Sequence, residues 1–454
     1  MANDQRDGFG SRFGVLVALA GSAIGLGNLW RFPYLVGNNG GAAFIIMYVV
    51  FVIFLCLPIM VSEFVIGRRT QANAYGAINK LAPKSGWLSI GILSVAAVFC
   101  VMAFYCVVGG WTVEYILKSF SYSFLNSDRA ALSSFFGNFI SAPIQPAIMM
   151  FVFLGLTALI VSAGIKDGIE KYSKILMPGL FILIIILCIR SLTLPGAYEG
   201  VKFLFNPDFS KLKPDSALAA LGQAFFSLSL GMGCMITYGS YTAKKENLMN
   251  MSFITAFADT GFAILAGIAI MPAVFAFGMS PAQGPGLIFI ILPQIFAQMP
   301  FGNIVSLIFF IIVLVAALTS SISLLEVAVA YFMEELKMTR RKAVLIGFLI
   351  IAVFAVLSSL SQGTLKDYTL FGKTIFDIFD YTSSNIMLPI GGLLVVLFVG
   401  WKMRRSDVLD EITSGGAIPF KRDTLNITMF CIKFLAPIAI SLVLLNSLGF
   451  IKLF

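Results

Sequence analysis

Histidine is missing from the sequence altogether. Imidazole metal ligands and every catalytic triad built on histidine are excluded with it. Charge is scarce: Asp, Glu, Lys and Arg make up 12% of the residues, about half of what a soluble domain carries. Cysteine is thinly spread. Cys56, Cys100, Cys106, Cys188, Cys234 and Cys431 each sit in an apolar stretch, and no two form a CxxC pair. Buried structural thiols are expected, not a redox or zinc site. There is no GxSxG motif and no cluster of metal-ligating residues, so the chain does not read as an enzyme. No low-complexity tract or soluble domain interrupts it. The short polar start lacks a small-residue cleavage site after its first apolar run, which contains Gly, Asn and Trp-Arg; a retained helix is expected.

What fills the space is apolar. Of 454 residues, 59% are hydrophobic, and the mean hydropathy is +0.95. A single globular core cannot hide that much apolar surface, so part of it must face lipid. Stretches long enough to cross a bilayer lie near 13–35, 42–67, 88–117, 145–164, 174–192, 217–241, 252–277, 304–333, 343–360, 375–400 and 426–450. The expected class is therefore an all-α polytopic membrane protein of eleven spans. The Pro- and Gly-bearing stretch 278–303 has no charged residue and is expected to fold back onto the protein from outside.

The net charge of +9 does not point to nucleic acid, because the basic residues sit in short clusters between spans, with Arg31 and Lys433 falling within spans. With the N-terminus inside, 20 of them fall on the cytoplasmic side and 9 outside. The expectation is a multi-pass protein of the cell (inner or plasma) membrane, N-terminus in the cytoplasm, acting as a monomer or homodimer.

Two spans are interrupted. The first reads Ala20-Gly21-Ser22-Ala23-Ile24-Gly25-Leu26-Gly27-Asn28, the sixth Ser227-Leu228-Ser229-Leu230-Gly231-Met232-Gly233. Either small residues let helices pack closely, or the backbone unwinds there to line a binding site. Paired interruptions in corresponding positions of two halves point to a transporter site, where half-helix ends face charged groups.

These motifs, with Gly21–Pro33, Asn39-Gly40-Gly41, Gly222–Tyr241 and Leu318–Ser323, resemble the neurotransmitter:sodium symporter family along nearly the whole chain. Length and span number are similar to those of its bacterial members. The resemblance implies a five-plus-five inverted-repeat (LeuT-like) fold with one extra C-terminal helix: a gate segment 1–12, a first repeat 13–192, a second repeat 217–400, and a loop with the last helix over 401–454. It implies two Na⁺ sites. The second would use Gly21, Ile24 and Ala316 carbonyls with the Thr319 and Ser320 hydroxyls. The other would use the Ala23 carbonyl, Asn28, Ser227 and Asp259. Taken alone, Thr319 and Ser320 could equally bond back to their own helix.

Chloride-dependent relatives hold Cl⁻ on Tyr, Gln, Ser, Asn and Ser. Here Tyr48, Gln223 and Ser227 match, but Asp259 brings a carboxylate, so chloride is expected to be dispensable; the alternative is a neutral acid at a helix crossing. The implied substrate pocket comprises Ser22, Ala23, Gly25, Leu26, Gly27, Val101, Tyr105, Phe226, Ser227, Ser229, Met232, Ser320 and Leu324. Monoamine carriers have Asp where this chain has Gly25. The ligand should therefore bring its own carboxylate, held by Tyr105, and an apolar side chain: a hydrophobic amino acid, aromatic ones included. Met232 is either an adaptable wall or simple packing. The resemblance also implies an outer gate, Arg31 with Asp380, and an inner gate of Arg6, Phe9, Tyr241 and Glu334. Arg6–Glu334 could instead be an inconsequential exposed pair. The implied activity is Na⁺-coupled import. A binding-only sensor or a channel-like protein on the same fold is the alternative, though no filter repeat or charge ring favours a channel.

Overall fold

The structure is a computed structural model and describes residues 8–120, 129–281, 287–297, 299–448 and 450–451. The first span is two pieces, α1 (Arg12–Ala23) and α2 (Gly27–Asn38), bent by 43° at the break. Then come α3 (Ala42–Thr70), the short α4 (Ala74–Leu81), α5 (Gly86–Phe120), α6 (Arg129–Ser141), α7 (Gln145–Ser162), α8 (Ile165–Leu192) and α9 (Ala197–Phe205). The sixth span is also two pieces, α10 (Ser216–Ser227) and α11 (Cys234–Ser240). The chain continues with α12 (Leu248–Ala276), α13 (Ile291–Ala297), α14 (Gly302–Glu334), α15 (Arg340–Leu360), α16 (Ile375–Lys402), α17 (Arg405–Ile412) and α18 (Arg422–Asn446).

Among the described residues nine helices are long and apolar enough to cross a membrane, and the α1–α2 pair makes a tenth. The expected sixth span is not one helix, because its two halves are separated by six residues without regular structure. The part of 278–303 that is described packs inward. Phe289 and Leu292 are buried, and the Tyr115 hydroxyl donates to the Phe289 carbonyl at 2.6 Å.

Lipid explains why the outer helices look apolar all round. On α8, Leu180, Ile184 and Leu187 are buried, while Ile182, Ile185 and Ile189 on the opposite side are exposed. Both faces meet apolar surroundings, so no polar stripe is needed.

Proline shapes the spans further. Wide turns with i→i+5 hydrogen bonding occur at Gly27–Arg31, Val52–Cys56, Thr382–Met387 and Cys431–Leu435. Each ends two residues before a proline: Pro33, Pro58, Pro389 and Pro437. Proline has no N–H, and its ring crowds the carbonyl four residues back, so the turn widens there. Two further wide turns, Ile165–Glu170 and Phe398–Lys402, have no such proline.

At the Lys/Arg-rich end of the bundle, α17 is tied to the end of α3. Arg68 and Glu411 are both fully buried and paired at 2.9 Å. Arg68 Nη1 also donates to the Glu246 carbonyl at 2.6 Å, and Arg69 reaches Asp407 at 2.9 Å. The α1 end is held by Glu170 of α8, whose carboxylate accepts from Gly10 N at 2.6 Å and Ser11 Oγ at 2.9 Å.

Candidate functional site

The two breaks face each other in the middle of the bundle. At the first, Ile24 leaves the helix with ψ 106°, which turns its carbonyl out of the α1 ladder. At the second, Ser229, Gly231 and Gly233 have φ of +54°, +78° and +75°, the left-handed region that glycine tolerates at no steric cost. Gly231 also lies against the Leu388 backbone, so a Cβ there would collide with its carbonyl. The unwound segments are pinned to each other: Ser229 Oγ donates to the Ser22 carbonyl at 2.8 Å.

Between them lies a small, nearly closed cavity. All the residues assigned to the substrate pocket line it except Leu26. Leu26 sits behind the wall, its N–H donating to the Tyr105 hydroxyl at 3.2 Å. Gly25 has no room for a side chain: a Cβ would come within 2.8 Å of the Tyr105 oxygen and 2.9 Å of Ser320 Cβ. Among the lining residues there is no carboxylate. Four serines, Ser22, Ser227, Ser229 and Ser320, give the wall hydroxyls, and Val101, Phe226, Met232 and Leu324 give it an apolar side.

The residues assigned to the second sodium site converge beside this cavity. Ser320 Oγ lies 3.2 Å from both the Gly21 and Ile24 carbonyl oxygens. Thr319 Oγ1 lies 3.0 Å from the Ala316 carbonyl and 3.5 Å from that of Ile24. Thr319 also bonds back to Val315 at 3.2 Å, so it serves its own helix and faces the break at once. Three carbonyls and two hydroxyls make an all-oxygen set suited to a hard cation.

The first-site residues meet around Asp259, which has 0% exposure. Its Oδ1 accepts from Ser227 Oγ at 2.7 Å and Asn28 Nδ2 at 2.8 Å, and its Oδ2 accepts from Tyr48 at 3.0 Å. Asn28 Oδ1 accepts from Gly25 N at 2.8 Å. Gln223 departs from expectation. It donates to the Gly27 carbonyl at 2.8 Å and accepts from Arg31 at 3.3 Å, so it braces the broken helix and does not reach the carboxylate.

On one side of the cavity Arg31 is buried, 3.7 Å from Asp380, with its guanidinium 5.4 Å from the Phe226 ring centroid. Phe226 also packs on Tyr105, centroids 6.3 Å apart. These residues, assigned to the outer gate, are thus brought together. On the other side Phe9 packs edge-on against Tyr238 and Tyr241. The Tyr241 hydroxyl donates to Glu326 at 2.8 Å. Glu326 lies eight residues before Glu334 on α14, about two turns deeper. Arg340 closes on the same carboxylate through two nitrogens. Glu334 accepts from the Asn73 backbone at 2.7 Å and side chain at 3.0 Å. Arg6 lies outside the described residues.

Sequence reasoning missed two acids. Glu63, with no exposure, receives the Gly231 N–H at 2.7 Å and so fixes the second break. Glu326 anchors the inner cluster. Both were visible as lone carboxylates in long apolar runs, which by default mark function.

Comparison with known proteins agrees with this geometry. The model of the "Sodium:neurotransmitter symporter family" matches residues 6–131 and 137–452. The uncharacterized sodium-dependent transporter YhdH of Bacillus subtilis is 43% identical, with 97% of this chain and 98% of that protein covered. A sodium-dependent transporter of Haemophilus influenzae is 36% identical over 98% of this chain and 99% of its own length. The sodium- and chloride-dependent GABA transporter 2 of Bos taurus is 26% identical over 90% of this chain and 75% of its own. Among solved structures, the crystal structure of MhsT in complex with L-phenylalanine superposes with a TM-score of 0.92 at 44% identity. It covers 97% of this chain and 100% of that one.

Proposed function

The chain belongs to the sodium:neurotransmitter symporter family, and from that premise we propose that it imports a hydrophobic L-amino acid together with Na⁺, by alternating access and without a need for chloride. The observation that carries the substrate class is Gly25. With Tyr105 and Ser320 closing the space a side chain would need, the pocket has no acid to meet a ligand amine. A ligand must supply the carboxylate itself. The Tyr105 hydroxyl and the N-terminal end of α2 are placed to receive it, since a helix N-terminus favours an anion. The apolar remainder of the wall suits an aliphatic or aromatic side chain, and the relative MhsT holds L-phenylalanine.

Two Na⁺ sites support the coupling. Gly21, Ile24, Ala316, Thr319 and Ser320 would hold one ion. Ala23, Asn28, Ser227 and Asp259 would hold the other, beside the ligand carboxylate. An anion ~4 Å from a cation attracts it by about 4 kcal/mol at an effective dielectric near 20, so ligand and ion would each raise the other's affinity. Asp259 supplies a fixed negative charge at the place where chloride-dependent relatives use the halide. Inward movement of each Na⁺ through ~100 mV releases about 2.3 kcal/mol. With Arg31–Asp380 above the cavity and the Tyr241–Glu326–Arg340 cluster below it, the site can be closed on either side. The Lys/Arg bias places the N-terminus in the cytoplasm.

The experiment is uptake of radiolabelled L-phenylalanine into proteoliposomes. Accumulation should require an inward Na⁺ gradient, vanish when K⁺ replaces Na⁺, and persist with gluconate in place of chloride. Leucine-like and aromatic amino acids should compete, whereas phenethylamine and dicarboxylic amino acids should not. Binding without uphill accumulation would instead identify a sensor.

A further inference from the structure

Outside the transport site, Lys433 is a cation on the bundle's outer face with no counter-charge among the described residues. Lys433 lies within the α18 span, on the lipid side of its contact with α16. Its ammonium sits 4.5 Å from the Trp401 ring centroid and 5.6 Å from that of Phe434. Among the described residues it makes no ion pair. The surrounding platform is outward-facing: Trp401 and Phe430 are each 58% exposed, and the Phe434 ring packs against both.

The arrangement is built, not incidental. Pro437 cannot donate to the carbonyl four residues back, which is that of Lys433. The carbonyl freed in this way accepts the Trp401 indole N–H at 3.0 Å. Opposite it, the wide turn Phe398–Lys402 brings Gly400 against the Lys433 backbone, where a Cβ would meet Lys433 Cα at 3.1 Å. Two wide turns thus lock Trp401 to α18 and hold the ammonium over its ring.

More positive charge lies around it. Lys402, Arg404 and Arg405 are exposed and follow Trp401 directly, and none of them is in an ion pair among the described residues. Arg405 bonds only the neutral Asn426, at 2.6 Å. The nearby acids are engaged or distant. Asp407 pairs with Arg69, Asp410 with Arg69 and Lys244. Asp423 lies ten residues before Lys433, about 15 Å along the helix.

We propose that Lys433, Trp401 and Lys402 form a binding site for the phosphate of an anionic phospholipid in the leaflet at the Lys/Arg-rich end of the bundle. The acyl chains would run along Phe434 and Ile438, both exposed. An indole belongs at the headgroup level, and a Lys on a lipid-facing helix extends its ammonium to the same level. Unpaired basic residues just beyond a span attract anionic lipid. This site does not depend on the transport reading, only on the chain's being embedded in a bilayer.

The test uses the full-length protein in nanodiscs carrying a small fraction of brominated lipid, either phosphatidylglycerol or phosphatidylcholine. Bromine quenches tryptophan on contact, and the W401F protein gives the signal of the other three tryptophans for subtraction. Brominated phosphatidylglycerol should quench Trp401 more than brominated phosphatidylcholine at equal bromine density. Lys433→Gln should lower the preference about fivefold, the contribution of one basic side chain near an anionic surface, and Lys433→Arg should keep it. Millimolar inorganic phosphate should not reverse the quenching. Equal quenching by both lipids, a preference unchanged in K433Q, or displacement by free phosphate would each overturn the proposal. Transport activity of K433Q reports separately that the variant is folded.

Discussion

Asp259 is the residue with the most to lose. Three donors converge on it with no exposure to water, so its charge is felt almost unscreened. Asp259→Asn keeps the shape and removes the charge. In gluconate medium its uptake should fall about tenfold or more, since ~1.4 kcal/mol of lost attraction already corresponds to a factor of ten. Chloride should restore part of it. An unmodified protein with an absolute chloride requirement would remove this role. Thr319 and Ser320 give a second residue-scale expectation. Replacing both with Ala deletes two of the five oxygens around Ile24. The Na⁺ concentration for half-maximal substrate binding should rise several-fold while the substrate selectivity stays the same. An unchanged Na⁺ dependence in scintillation-proximity binding would mean that the hydroxyls serve only their own helix. Most of these residues were legible in the sequence, because their types and order match a known pattern. Gln223 was not. Its side chain is spent on Gly27 and Arg31, a choice set by the bend in the first span, which residue types alone do not specify.

At the scale of elements, hydropathy found the spans within several residues but could not show that the sixth is two helices. Glycine-rich motifs hinted at the break. Its fixing by Glu63 needs α3 and α11 side by side, a long-range fact. The wide turns were legible in hindsight only, because proline is common in membrane helices and marks a kink without giving its form. The α3–α17 junction carries a stability expectation. Arg68→Met would leave Glu411 buried beside only the exposed Lys244 and the partly exposed Arg69. Breaking such a pair costs ~3–5 kcal/mol, so the thermal unfolding midpoint in detergent should drop by several degrees. Arg68→Met with Glu411→Met should recover much of the loss, as apolar replacement of a buried pair often does. A double variant no better than the single one would show that Arg68 acts through its bonds to the Glu246 backbone.

Across the whole molecule, the fold class follows from composition alone, because so much apolar surface has nowhere to go but lipid. The proposed orientation rests on the Lys/Arg bias, and it can be checked directly. In a background with the six cysteines replaced, Phe371→Cys, at a position 93% exposed, should react with a membrane-impermeant maleimide on intact cells. Asp410→Cys, at the opposite end, should react only after the cells are opened. The reverse pattern would invert the topology and, with it, the direction of the proposed import.

The wide turn at Val52–Cys56 has a consequence of phase. An i→i+5 turn amounts to one residue inserted into an α-helix, and one residue is about 100° of rotation. Everything beyond it on α3 is therefore turned by that angle from where an unbroken α-helix of the same sequence would put it. Tyr48 lies before the turn and faces Asp259; Glu63 lies after it and faces Gly231. A single deletion within 52–56 would let the helix regain its regular pitch with Tyr48 and Glu63 both still facing their partners, whereas closing the turn without a deletion would swing Glu63 about 100° away from the sixth span. The spacing between these two residues is thus an angular setting as much as a distance, and the wide turn is the place on the helix where one residue can be lost without changing it.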